Sequence, residues 1–167
     1  MKFAILASAL LFAACGGSTL DDSSTDDLTQ PSFDPIAAYG SAKDHAARYA
    51  ANPLPVRLDG AVTSTGIRWT WELVGEGHVY VDVGVSETGA RVRSHQVRQL
   101  MMPITEFDPA SVTVSPADAI QLLASHKKCT TATHLTLGAL PTSDHPAWSV
   151  TCGGATLSVD AITGDVK

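Results

Sequence analysis

The sequence predicts an α+β chain built from two helix-plus-antiparallel-sheet units, preceded by an export signal and an acidic tether. Three observations point there. An apolar run, Phe3 to Phe12, follows the positive start Met1-Lys2. A Gly/Ser/Thr/Asp-rich stretch then fills residues 16–35. Behind it, a helix-like segment followed by alternating, tryptophan-bearing strands occurs twice. Each unit has an apolar helix stripe and an apolar sheet face, and burying one against the other is the ordinary way such segments fold.

The N-terminal run is too short for a stable membrane-spanning helix, which needs about 20 apolar residues, so it reads as a cleaved signal covering residues 1–14. The pattern Leu11-Phe12-Ala13-Ala14-Cys15 resembles the lipobox of bacterial lipoproteins, with Phe12 departing from the usual Leu. That resemblance implies that Cys15 becomes the acylated first residue of the mature protein. Each methylene buried in lipid contributes about 0.8 kcal/mol, so two or three acyl chains would anchor it durably. Gly16 follows Cys15. By resemblance to Gram-negative lipoproteins, this favours the periplasmic side of the outer membrane over the inner membrane.

Residues 15–35 read as a flexible tether with too little apolar surface to offset its own ordering entropy. Asp21, Asp22, Asp26, Asp27 and Asp34 lie in it, and residues 36–167 keep 12 acidic and 10 basic side chains, a net of −2. A nearly neutral body carries no electrostatic footprint for nucleic acid. The remaining roughly 130 residues suit one compact domain or two very small ones.

In the first unit, residues 36–98, Ala42 to Ala51 reads as a helix stopped by Asn52-Pro53. Ile67, Trp69, Trp71 and Leu73 alternate with polar residues, Gly75-Glu76-Gly77 turns, and Val79, Val81, Val83 and Val85 alternate again. In the second, residues 112–167, Ser115 is placed to cap a helix running to His126, with Pro116 at its first position and Asp118 completing a capping box. Trp148, Val150 and Cys152 then alternate, Gly153-Gly154 turns, and Leu157, Val159 and Ala161 share a face. Asp44 and Asp118, Trp71 and Trp148, and Asp82 and Asp160 lie 74, 77 and 78 residues apart, a drift that loop-length changes between two copies would produce.

The second unit resembles a PepSY domain through Val114-Ser115-Pro116-Ala117-Asp118-Ala119-Ile120, Pro146-Ala147-Trp148-Ser149-Val150 and the terminal run Val159 to Val166. The first unit is a looser version, its closing turn lengthened by Gly84-Val85. The resemblance implies tandem non-catalytic α+β modules of a kind suspected of inhibiting or regulating proteases outside the cytoplasm.

With Cys15 committed to lipid, Cys129 and Cys152 remain, and an oxidising compartment favours their pairing. Both would point into one core if the strand holding Leu135 and Leu137 begins early enough. A metal site from His126, Cys129, His134, His145 and Cys152 is the alternative, but no second tight ligand pair accompanies His126-x2-Cys129. Catalytic signals are thin. Residues 84–89 lack the spacing of a nucleophile elbow, and Asp82 and Asp160 read as turn-fixing acids. No enzyme activity, metal or other cofactor is expected.

The most distinctive surface lies around the connector, residues 99–111. Arg91, Arg93 and Arg98, with His95, form a basic cluster beside Leu100-Met101-Met102-Pro103-Ile104. Arginine anchors interfaces and methionine adapts to them, so Arg91, Arg93, Arg98, Met101 and Met102 are the candidate partner-binding residues. The expected partners are the membrane, through lipid on Cys15, and an envelope protein or peptide segment. A purely structural envelope role is the alternative.

Overall fold

A computed structural model describes residues 33–99, 105–126, 129–140 and 143–167. Helix α1 spans Tyr39–Ala46 and leads into strands β1 (Leu54–Thr63), β2 (Gly66–Gly75), β3 (Val79–Ser86) and β4 (Gly89–Val97). Helix α2 (Pro116–Ser125) leads into β5 (Ala132–Ala139), β6 (Pro146–Cys152) and β7 (Ala155–Asp160). All seven strands form one antiparallel sheet in the order β4-β3-β2-β1-β5-β6-β7.

This corrects the expected fold class. There are not two helix-plus-sheet units but one sheet with two short helices, and the tandem architecture implied by the PepSY resemblance is not what forms. The reason lies in the seam. β1 pairs with β5 from Arg57 to Ala61 against His134 to Gly138. The pairing removes two strand edges that separate units would leave with unpaired backbone groups. It also merges two small apolar faces: Leu58 stands opposite Leu137 and Gly60 opposite Leu135. Trp69 from one side and Trp148 from the other meet edge-on there, their ring centroids 6.2 Å apart. Trp69 lies directly over Gly60, where a Cβ would collide with its indole. Gly60 makes room for the ring that closes the shared core.

The sequence halves still echo one another within this sheet. Trp71 Nε1 donates to Pro35 O at 2.9 Å, and Trp148 Nε1 donates to Val114 O at 2.8 Å. Each indole thus pins the chain just ahead of a helix. The closing acids, however, do not match. Val83 stands opposite Trp71 and Val159 opposite Trp148, so the ladder aligns Gly84, not Asp82, with Asp160. Asp82 lies within β3, whereas Asp160 ends β7.

α2 begins as its sequence predicts. Ser115 Oγ accepts from the Asp118 backbone N–H at 3.1 Å, and the Asp118 carboxylate accepts from the Ser115 N–H. α1 covers only Tyr39–Ala46, earlier and shorter than the helix expected to reach Ala51. Its small buried residues Ala42 and Ala46 let it sit close on β2, β3 and β4, while α2 covers β6 and β7. For β4 the sequence shows no strand pattern, only the turn at Thr88-Gly89 before it. β4 is a full strand, with a mostly exposed sequence that shows no apolar alternation.

Candidate binding surface

Both helices cover one face of the sheet, which holds Trp69, Trp71, Leu73, Val81, Val83, Leu135, Trp148 and Val150 in the core. Among the described residues no helix covers the opposite, open face, which carries charge. Arg57 bridges Asp59 at 2.9 Å and Glu72 at 3.0 Å, and Arg98 reaches Glu72 at 2.5 Å. Glu72 is only 5% exposed because these two arginines close over it. Asp59 accepts from Thr136 Oγ1 at 3.1 Å and faces His134 Nε2 at 3.4 Å, so the network crosses the seam.

Arg98 therefore separates from Arg91 and Arg93. Besides pairing with Glu72, its guanidinium lies 4.5 Å above the Tyr80 ring, and its backbone N–H donates to His78 O. These contacts fix the chain leaving β4. Arg91 and Arg93 lie instead on exposed β4, the edge of the sheet. Arg91 stands opposite Gly84 and Ser94 opposite Asp82, which accepts from the Ser94 hydroxyl. A bulge lies between these pairs, at Arg93. The bulge lays the Arg93 guanidinium across Gly84, where any Cβ would collide with it. Beside these arginines the β3–β4 hairpin forms a hollow of about 540 Å³, also lined by Ser86 and Thr88.

The helix-side flank of β4 is basic too. The His95 ring packs on Tyr49 with centroids 4.6 Å apart. His45, Arg48, Tyr49, Ala90, Arg91 and Val92 line a second hollow of about 300 Å³ between the α1 segment and β4. Neither His45 nor Arg48 was singled out in the sequence, because only the fold brings residues 45–49 beside residue 91.

The other edge of the sheet is partly occupied. Val166 bridges Val159, Asp160 N–H donates to Asp165 O, and Lys167 N–H donates to Ser158 O, so residues 165–167 cover the Ser158–Asp160 end of β7. Asp160, 4% exposed, organises this end. Its carboxylate accepts from the backbone N–H groups of Ile162 and Thr163 and from His145 Nδ1 at 3.1 Å, with Lys167 Nζ at 3.7 Å. Burial pushes the carboxyl up, but the Thr163 and Ile162 N–H groups and His145 outweigh it and hold the pKa at about 2. Asp160 fixes the closing turn.

Cys129 and Cys152 form a disulfide, with Cα atoms 5.3 Å apart. Their sulfurs are thereby removed from the candidate metal set. Among the described residues no group of three or more His, Cys, Asp or Glu side chains is placed to hold a metal ion. Cys15, Met101 and Met102 lie outside the described residues. Among those described, no helix is long and apolar enough to cross a membrane.

No family model and no curated protein matches the chain. Among solved structures it is similar to one described as a "putative lipoprotein" from Clostridium difficile 630, with a TM-score of 0.56 and 12% sequence identity. The similarity covers 80% of this chain and 95% of that one. At that identity the likeness shows a shared fold alone.

Proposed function

We propose that this chain is a lipid-anchored cell-envelope protein that acts by binding an extended protein segment, without catalysis. The edge of β4, which pairs with no strand but β3 among the described residues, carries this reading. Nine residues of edge backbone, Gly89–Val97, run along the outside of the sheet with Arg91 and Arg93 exposed upon them, whereas the shorter β7 edge is covered over Ser158–Asp160 by residues 165–167. A free edge offers main-chain donors and acceptors to an incoming strand, and neighbouring side chains choose which strand it takes. The lipobox resemblance at Cys15 supplies the anchor, and the fold shared with the Clostridium difficile protein is compatible with it.

Two measurements test the reading. Mass spectrometry of the envelope-extracted chain should show an acyl mass that a Cys15→Ser variant lacks; equal masses would remove the anchor. A photo-crosslinking residue in place of Gln96 on β4 should capture a discrete envelope protein in intact cells, while one in place of Ser149, on β6 between two paired strands, should not. A structural role without a protein partner predicts no capture from either position and a permeability defect on deletion.

A further inference from the structure

We infer that the β4 edge selects an acidic, extended peptide segment, which adds to the sheet as an eighth strand with carboxylates on both of its faces. The inference rests on the strand-binding reading above and names the chemistry of the occupant. Three observations carry it.

First, the edge is basic on both sides. Arg91 stands on the open face opposite Gly84, and the Arg93 guanidinium lies across that same glycine. On the helix side, Arg48 and His45 line the hollow against β4, and His95 stands beside Tyr49. Side chains of an added strand alternate between the two faces. Acids at successive positions would therefore meet Arg91 and Arg93 on one side and Arg48, His45 and His95 on the other.

Second, the arginines are unevenly distributed. All six of the chain's arginines lie between residues 48 and 98. Arg57 and Arg98 are committed to Asp59 and Glu72, whereas the ion pairs found among the described residues do not include Arg48, Arg91 or Arg93. The acids on this hairpin are Asp82, which faces Ser94, and Glu87, which has its own interaction at the turn.

Third, the same charges disfavour the simplest competing occupant. A second copy pairing β4 against β4 would set arginines beside arginines, and like charges on adjacent strands repel. An acidic strand turns each of those repulsions into an attraction.

The test uses the full chain in detergent and three eight-residue peptides of one sequence frame. One carries Asp or Glu at four positions covering both faces, one has Asn or Gln there, and one is the acidic peptide with all of its backbone nitrogens methylated. Binding is followed by fluorescence polarisation and by amide chemical-shift changes along β4. The expected result is at least tenfold tighter binding of the acidic peptide than of its amide counterpart, weakening with added salt. Shifts should concentrate on residues 89–97, and methylation should abolish binding. Arg91→Gln with Arg93→Gln, and separately Arg48→Gln, should each lower affinity for the acidic peptide while leaving the melting temperature within about 2 °C. Equal binding of acidic and amide peptides at β4 would overturn the charge selection but keep the strand-binding reading. Acidic binding indifferent to methylation would overturn strand addition. Failure of every peptide to perturb β4 would overturn the reading and the inference together, as would concentration-dependent β4–β4 dimerisation.

Discussion

At the scale of single residues, two side chains that look alike in sequence have different work. Asp82 faces a serine on an exposed hairpin, whereas Asp160 is buried under two backbone N–H groups and a histidine. The second arrangement makes stability depend on pH in a definite direction. The folded pKa of about 2 lies below the ordinary 3.8, so the stabilisation is complete above pH 3.8 and is lost as pH falls towards 2. Melting temperatures of wild type and Asp160→Asn should therefore differ most above pH 4 and converge between pH 4 and 2. A constant gap across that window would show that the charge of Asp160 is not what matters. Gly60 gives a second case. Adding a methyl beneath Trp69 forces the indole out of the seam, and overpacking of this kind costs about 1–3 kcal/mol. Gly60→Ala should lower the urea midpoint accordingly, whereas Gly40→Ala, in α1 with open space around the new methyl, should not.

At the scale of elements, legibility followed the physical strength of each local signal. α2 was readable because Ser115, Pro116 and Asp118 state its start in chemistry that the capping box then realises. Ser115→Ala should destabilise by about 1 kcal/mol, measurable as a shift in the urea midpoint without a change in slope. β2 and β3 were readable because Trp69, Trp71, Leu73, Val81, Val83 and Val85 face the core with mostly polar residues between them, which writes a period of two into residues 67–85. β4 lacks that pattern since an edge strand on an open sheet buries little: only Ala90 and Val92 pack partly on the core. Its polar, arginine-rich sequence is what protects an edge, and it reads as a connector for that reason. The candidate surface was accordingly half legible. Arg91 and Arg93 announce themselves by clustering, while His45 and Arg48 join them only through α1 packing on β3 and β4. Arg98 belongs to the same sequence cluster but is diverted to Glu72 and Tyr80. Replacing it with alanine should cost about 1–2 kcal/mol, between a surface pair and a buried one, with little effect on peptide binding at β4.

At the scale of the whole molecule, the question the halves pose is whether they unfold as two bodies or one. A repeat in the sequence suggests two, because each half carries its own helix and its own tryptophan anchor. The seam argues for one. Leu58, Trp69, Leu135, Leu137 and Trp148 belong to a single core, and the β1–β5 ladder is continuous with the pairs on either side. The Arg57–Asp59–Glu72 network, tied to Thr136 across the seam, adds polar contacts on the open face. Urea unfolding should then be a single transition, reported at the same midpoint by amide exchange in β2 and in β6. Thr136→Pro, which removes an N–H and restrains the backbone in β5 where it faces Asp59, should lower the protection of β2 as well as β6. Two independent units would instead give separate midpoints, and the substitution would spare β2. With the disulfide reduced, β6 should lose stability through the opened link between Cys129 and Cys152, a loss of about 3 kcal/mol in the chain-entropy model. In a single cooperative sheet that loss appears in β2 too, at the far side of the seam from both cysteines.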